Sequence, residues 1–219
     1  MQILISLAVL APQAAEASGT VDVVLETSMG NIEIELNTEK APQSAGSFLK
    51  ILDAGLYDKT AFYRVVRPDN DNGDPAITVI QGGLDLTAPL PDGVADPVSH
   101  ESTQQTGLKH SDGTLSLART EVGAASGAAF FICIGENPSL DYGGKRNADG
   151  QGFAAFGKVT RGMEVVKQIN ARHGHPWVFN ITPILGRCVR MQLVCPIPTR
   201  EGCGSLGQPR DKRLRIRLL

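Results

Sequence analysis

Residues 60–85 read TAFYRVVRPDNDNGDPAITVIQGGLD. Two apolar runs, residues 61–66 and 77–80, flank a turn-rich stretch, RPDNDNGDP. The runs are short, rich in β-branched and aromatic residues, and bounded by Gly, Pro, Asn and Asp, which marks two strands and a loop. The first run carries one charge, Arg64, among Phe62, Tyr63, Val65 and Val66. The second ends in Gln81-Gly82-Gly83, where an amide able to hold a guanidinium meets permissive backbone. A buried charge inside a strand needs a partner. The plainer alternative is an edge-strand arginine pointing at solvent.

Upstream, Val21, Val23 and Leu25 alternate before Ser28-Met29-Gly30-Asn31, and Ile32, Ile34 and Leu36 alternate after it. Period two around a Gly-Asn turn predicts a hairpin with Glu26, Glu33 and Glu35 on the solvent side. Residues 41–54 carry Phe48, Leu49, Ile51 and Leu52 at helical spacing. Pro42 suits the first helical turn and Gly55 the C′ position. Downstream, Phe-Phe-Ile-Cys-Ile at 130–134 reads as a buried strand, with Cys133 a core thiol. Residues 163–171 read as a second short helix after Gly162. Residues 89–105 form a polar, Pro-containing loop with no assignable chemistry, and residues 137–152 a second long loop.

Four pieces of the chain, in order, resemble one family. They are Phe62-Tyr-Arg-Val-Val66 with Ile80-Gln-Gly-Gly-Leu-Asp85, then GTLSLART at 113–120, FFICI at 130–134 and FGKVTRGMEVV at 156–166. Together they are similar to the signature of the cyclophilins, the peptidyl-prolyl cis-trans isomerases, over residues 21–172. The resemblance implies a mainly β fold: a closed antiparallel barrel capped by helices at 42–54 and 163–171. A terminal strand pairs with the first in that family. Here residues 213–219, where Leu214, Ile216 and Leu218 alternate with Arg, would close the barrel.

Rotation about an Xaa-Pro bond faces a resonance barrier of about 18–20 kcal/mol. No bond is made or broken, so no nucleophile, metal or cofactor is required. Catalysis must favour the twisted amide over both planar forms. Twisting localises the lone pair on the prolyl nitrogen, and a fixed cation donating hydrogen bonds there lowers the barrier. Arg suits, being always charged and rigidly forked. The resemblance assigns this role to Arg64, oriented by Gln81. It assigns the proline and peptide contacts to Phe62, Val79, Phe131, Leu140 and Phe153, with the backbone of Ala118, Arg119 and Thr120 holding the substrate as an added strand. The partners are Pro-containing polypeptides. The chain departs from the family at Thr78, Ala129, Ser139 and Phe153, where pocket Phe, Gln, Trp and His are usual. The competing function is a binding module that holds Pro-containing segments without turning them over. Arg64 and Gln81 favour the enzyme; Ala129 and Phe153 favour the module.

The 219 residues suit one domain, and 42% hydrophobic with 20% charged content describes a globular chain. A formal net charge of -2 implies no nucleic-acid partner. Residues 1–17 hold an apolar run and Ala15-Glu16-Ala17, the small-x-small pattern of a signal peptide, although no Lys or Arg precedes the run. The expectation is a leader at 1–17, an isomerase domain at 18–172 and an irregular tail at 173–219. The processed protein would be periplasmic or secreted, monomeric and free of the membrane. From Gly186 on, eight Lys/Arg stand against two Asp/Glu. Cys188, Cys195 and Cys203 can form at most one disulfide. Asp69–Asp74 has Gly73 one position early for an EF-hand and no closing Glu, so it reads as turn chemistry. His173 and His175 match no zinc spacing, Lys145 follows no phosphate loop, and no G-x-S-x-G elbow or placeable Ser/His/Asp set marks a hydrolase. His100 and His110 stand alone and read as structural or solvated.

Overall fold

The computed structural model describes residues 19–58, 60–172 and the backbone of 182–184. The chain divides into a unit at 1–187 and a second at 188–219, and everything described lies in the first. The leader expected at 1–17, the histidine pair, the three tail cysteines and the strand expected at 213–219 all fall outside the described residues.

The hairpin forms as the alternation requires. β1 (Thr20–Thr27) pairs with β2 (Gly30–Asn37) in antiparallel register, Val23 opposite Ile34 and Leu25 opposite Ile32. The turn is Ser28-Met29 alone; Asn31, expected in it, already pairs with Glu26. Thr27 Oγ1 donates to the Gly30 carbonyl at 2.7 Å and accepts from the Met29 N–H at 3.1 Å, closing the turn without Asn.

α1 (Pro42–Asp53) buries Ala45, Phe48, Ile51 and Leu52 along one stripe. Its end is a Schellman motif: Gly55, at φ 67°, donates to the Leu52 carbonyl and Leu56 to that of Ile51. Its start has no local cap, since Ala41 precedes Pro42. Glu101 supplies one from across the molecule, accepting from the N–H groups of Gln43 and Ser44 at 3.0 and 2.8 Å and from Ser44 Oγ at 2.7 Å. A carboxylate there satisfies orphan donors and meets the positive helix end.

The remaining elements are β3 (Ala61–Val66), β4 (Val79–Gly83), α2 (Thr103–Thr106), β5 (Thr114–Leu117), β6 (Ala129–Cys133), a 3₁₀ turn at Pro138–Leu140, β7 (Ala154–Arg161), α3 (Met163–Asn170) and β8 (Thr182–Ile184). α2 lies in the stretch expected to be loop. Ser102 and Gln105 form a capping box around its first turn, a Ser-x-x-Gln signal that is present in the sequence.

All eight strands form one antiparallel sheet in the order β3-β4-β6-β5-β7-β2-β1-β8. It curls about a core in which Phe62 of β3 and Val23 and Leu25 of β1 share one cluster with α1 and α3. Phe48 of α1 is the hub of this core, with rings of Tyr57, Phe130 and Phe156 at 4.9, 5.3 and 5.6 Å. The closed barrel is corrected. Among the described residues β3 and β8 end the sheet and no ladder joins them. The strand beside β1 on its other side is the three-residue β8, opposite Val24–Glu26. α3 packs against β2, β3 and β4, and its Val165, Val166 and Ile169 join the core. Asn170 at its end donates to the carbonyls of Val66 and Val79, both at 3.1 Å.

Candidate active site

The site grows from the outer face of β3, β4 and β6. On β4, Ile80 points into the core while Val79 and Gln81 point out; on β6, Phe130 and Ile132 point in while Phe131 and Cys133 point out. β3 cannot follow the same alternation. Its register slips between Phe62, opposite Gly82, and Arg64, opposite Gln81, which makes Tyr63 the extra residue of a bulge. The bulge sends Phe62 inward and Arg64 outward although they are two residues apart.

Gly82 and Gly83 make this possible. A Cβ on Gly82 would lie 2.9 Å from the Ala61 carbonyl and the Phe62 ring. Gly83, at φ 138°, would drive one into the Ala128 carbonyl, which accepts instead from the Leu84 N–H at 2.8 Å. Outside, Arg64 Nη1 donates to Gln81 Oε1 at 3.0 Å and Gln81 Nε2 donates to Tyr63 Oη at 3.1 Å. Tyr63 thereby fixes the amide so that its oxygen faces the guanidinium. Burial holds the Tyr63 phenol above its ordinary range despite the Gln81 hydrogen bond and the Arg64 charge.

Beside Arg64 lies a second apolar cluster, separate from the core: Val66, Ile77, Val79, Phe131, Cys133 and Leu140, with Ala118 and Phe153 packed on it. Phe131 and Phe153 meet edge to face at 5.3 Å. Burial pushes the Cys133 thiol well above its usual range, which keeps it protonated and inert. Arg119 does not offer its charge to the cleft. Its side chain is 1% exposed, donates to both Asp149 oxygens at 2.7 and 2.8 Å and to the Gly152 carbonyl at 2.8 Å, and lies 5.2 Å over the Phe153 ring. Those hydrogen bonds bring the Asp149 carboxyl down to about 2. Arg119 and Thr120 lie beyond both ladders of β5, so no strand takes their backbone.

The cleft has a volume of about 510 Å³. Of the residues expected at the site, Arg64, Gln81, Val79, Ala118, Arg119, Thr120, Phe131, Leu140 and Phe153 all line it. Phe62 does not, and this is a correction. It is 2% exposed and packs edge-on to Phe130 at 6.1 Å in the main core, because the Tyr63 bulge reverses its face. Tyr63, Ile77, Arg146 and Asn147 line the cleft without having been expected there.

A sequence profile described as cyclophilin type peptidyl-prolyl cis-trans isomerase/CLD matches residues 22–184. The chain belongs to the cyclophilin family. Peptidyl-prolyl cis-trans isomerase A of Dickeya dadantii is 36% identical over 166 residues, 76% of this chain and 79% of that protein. Peptidyl-prolyl cis-trans isomerase B of Escherichia coli is 33% identical over 147 residues, 67% of this chain and 82% of that protein. In fold it resembles a cyclophilin type peptidyl-prolyl cis-trans isomerase from Cryptosporidium parvum, with a TM-score of 0.59 at 20% identity over 77% of this chain and 99% of that one. The activity of this cyclophilin is peptidyl-prolyl cis-trans isomerisation.

Two of its departures from the family, Thr78 and Ser139, sit outside the cleft lining, whereas Ala129 and Phe153 are in it. Behind Phe131 this cyclophilin also carries a Ser/His/Asp chain that its sequence hid. His110 Nδ1 donates to Asp141 Oδ1 at 2.8 Å, its Nε2 accepts from Ser116 Oγ at 3.0 Å, and its ring stacks on Phe131 at 6.1 Å. Asp141 also accepts from the His110 N–H at 3.1 Å. Burial alone would raise the Asp141 carboxyl, but the His110 hydrogen bonds and the Lys109 charge hold it below its usual range. Ser116 has no exposed surface, so no substrate carbonyl can reach it and the chain supports the pocket floor instead. Asp141 lies 31 residues from His110, and only the approach of two loops reveals the pair.

Proposed function

We propose that an extended Xaa-Pro segment lies in the cleft with its proline ring among Val79, Phe131, Leu140 and Phe153. Arg64 then donates to the prolyl nitrogen as the amide twists and to the prolyl carbonyl. The observation that carries this is the Arg64–Gln81 hydrogen bond at the mouth of an apolar pocket. A guanidinium already held in place costs no reorganisation when charge develops on the nitrogen, and the apolar wall weakens competition from water. Arg119 serves as wall, its charge neutralised by Asp149. The unpaired backbone at Arg119 and Thr120 supports binding of the peptide as an added strand. The test is exchange NMR on an Ala-Pro peptide with the purified chain. Cis and trans signals should exchange far faster than the uncatalysed tens to hundreds of seconds, and amides of residues 117–120 should shift on titration. Exchange at the uncatalysed rate refutes the proposal.

The site of action we infer is the periplasm or the extracellular space, with the protein a monomer free of the membrane. The apolar run ending in Ala15-Glu16-Ala17 supports export. N-terminal sequencing of native protein should begin near Ser18, and retention of Met1 or Gln2 counts against export.

A further inference from the structure

Residues 67–76, between β3 and β4, and residues 141–152, before β7, are the two loops whose sequences suggest turns and nothing else. They meet beside the cleft, and Asp71 is the joint. Its Oδ1 accepts from the Gly73 N–H at 3.0 Å and from Arg146 Nη2 at 2.7 Å. Its Oδ2 accepts from the Ile77 N–H at 2.9 Å and from Arg146 Nη1 at 2.8 Å. Four donors thus fill one carboxylate. Arg146 is held as firmly: Nη1 also donates to the Pro75 carbonyl at 3.0 Å, and its backbone N–H donates to the Ser139 carbonyl at 3.1 Å. The Asp71 side chain is 2% exposed and that of Arg146 12%. The guanidinium lies so close to Gly73 that any Cβ there would collide with it.

Both ends of this clamp reach the cleft. Ile77, whose N–H Asp71 holds, lines it and packs with Val79, Phe131 and Leu140. Arg146 lines it directly, next to Asn147. A buried ion pair gains little net stability, because desolvation offsets the attraction unless the geometry is excellent and every group is satisfied. Here every carboxylate lone pair is used, and what such a pair fixes is position.

We propose that Asp71 and Arg146 are positioning residues of the isomerase cleft, setting Ile77 and the 141–152 loop at the spacing that grips a proline ring. The proposal rests on the assignment of the cleft to Xaa-Pro segments. Neither residue touches the amide, so both act on binding, whereas Arg64 acts on the turnover step.

The experiment measures kcat and KM for an Ala-Pro peptide, with melting temperatures, for wild type, Asp71→Asn, Arg146→Gln, Arg146→Lys, the Asp71→Asn/Arg146→Gln double variant and Arg64→Ala. A pocket wall displaced by a fraction of an ångström should raise KM roughly tenfold and leave kcat within about twofold. The double variant should be no worse than the poorer single, since both remove one interaction. Arg146→Lys should restore little, because an ammonium cannot span both carboxylate oxygens. Arg64→Ala should lower kcat instead. Folded Asp71→Asn and Arg146→Gln proteins with wild-type KM overturn the proposal, whatever their melting temperatures. If Asp71→Asn fails to fold, Arg146→Gln decides alone. Inert wild-type protein overturns the cleft assignment together with the clamp, while active wild type with unchanged variants overturns the clamp only.

Discussion

Arg64 is exposed on the outer face of β3, and among the described residues it makes no ion pair with a carboxylate. Its side-chain partner Gln81 is neutral, which leaves most of the guanidinium's donors available to substrate. Replacing it with Ala should lower kcat/KM by roughly 10²–10³, the cost of removing one preorganised electrostatic donor. Lys should not rescue it, because a point charge cannot make the two directed contacts of the fork. The melting temperature should stay close to wild type, since nothing buried is left unpaired. A folded Arg64→Ala protein that isomerises at the wild-type rate contradicts the assignment. One that loses both activity and stability shows that the arginine is structural.

At the scale of elements, the site depends on two departures from regularity. The β3 bulge sends Phe62 to the core and Arg64 to the cleft, and the Gly82-Gly83 step lets β4 lie tightly against Ala61 and Ala128. α1 shows the same dependence on distant residues, because its N-terminal N–H groups are satisfied by Glu101 from another loop. Glu101→Ala should therefore cost about 1–2 kcal/mol, the usual range for a lost cap. For a domain of this size that is a fall in melting temperature of roughly 2–8 °C. Isomerase activity should be unchanged, since α1 packs in the main core away from the apolar cluster of the cleft. Calorimetry on Glu101→Ala and Glu101→Gln separates the parts: Gln keeps an acceptor but loses the charge, and should fall between Ala and wild type. An unaltered melting temperature for Glu101→Ala removes the cap from the account.

Across the whole molecule, carboxylates tie the loop after β6 to the rest of the domain. Asp141 holds His110, Asp149 holds Arg119, and Arg146 of the same loop is held by Asp71. Hydrogen bonds from Arg146 bring the Asp71 carboxyl down to about 2, Asp149 is brought equally low by Arg119, and Asp141 is lowered as well. A carboxyl whose folded pKa lies below its unfolded value of about 3.9 stabilises the fold fully above that value and loses the effect as pH falls toward the folded pKa. The contribution of Asp71 and Asp149 should thus be constant above about pH 5 and disappear between about pH 4 and 2, and that of Asp141 should be lost in the same direction as pH falls. Peptide affinity should fall in the same window, because all three pairs brace the cleft wall. Intrinsic fluorescence and peptide titration against pH check this, and affinity that is flat to pH 2 contradicts it.

The sequence by itself determined the inward faces of the first hairpin and of α1, and where α1 stops. Period-two spacing at Val23, Leu25, Ile32 and Ile34 made the hairpin, the stripe at Phe48, Ile51 and Leu52 made α1, and Gly55 ended it. These features are local, because backbone conformation and burial repeat along the chain with a fixed period. Arg64 and Gln81 were legible only through the family resemblance: unbroken pairing from Phe62 and Gly82 would set Tyr63 opposite Gln81, and the bulge puts Arg64 there instead. The face of Phe62 was not legible, because one bulge residue shifts the alternation and no local rule announces it. Nor were Glu101 on α1, Asp71 on Arg146 or Asp141 on His110, whose partners are 57, 75 and 31 residues apart. Only the tertiary structure chose those pairs. The curled sheet decides which loops meet, and a polar side chain in a loop carries no periodic mark of the partner it will find.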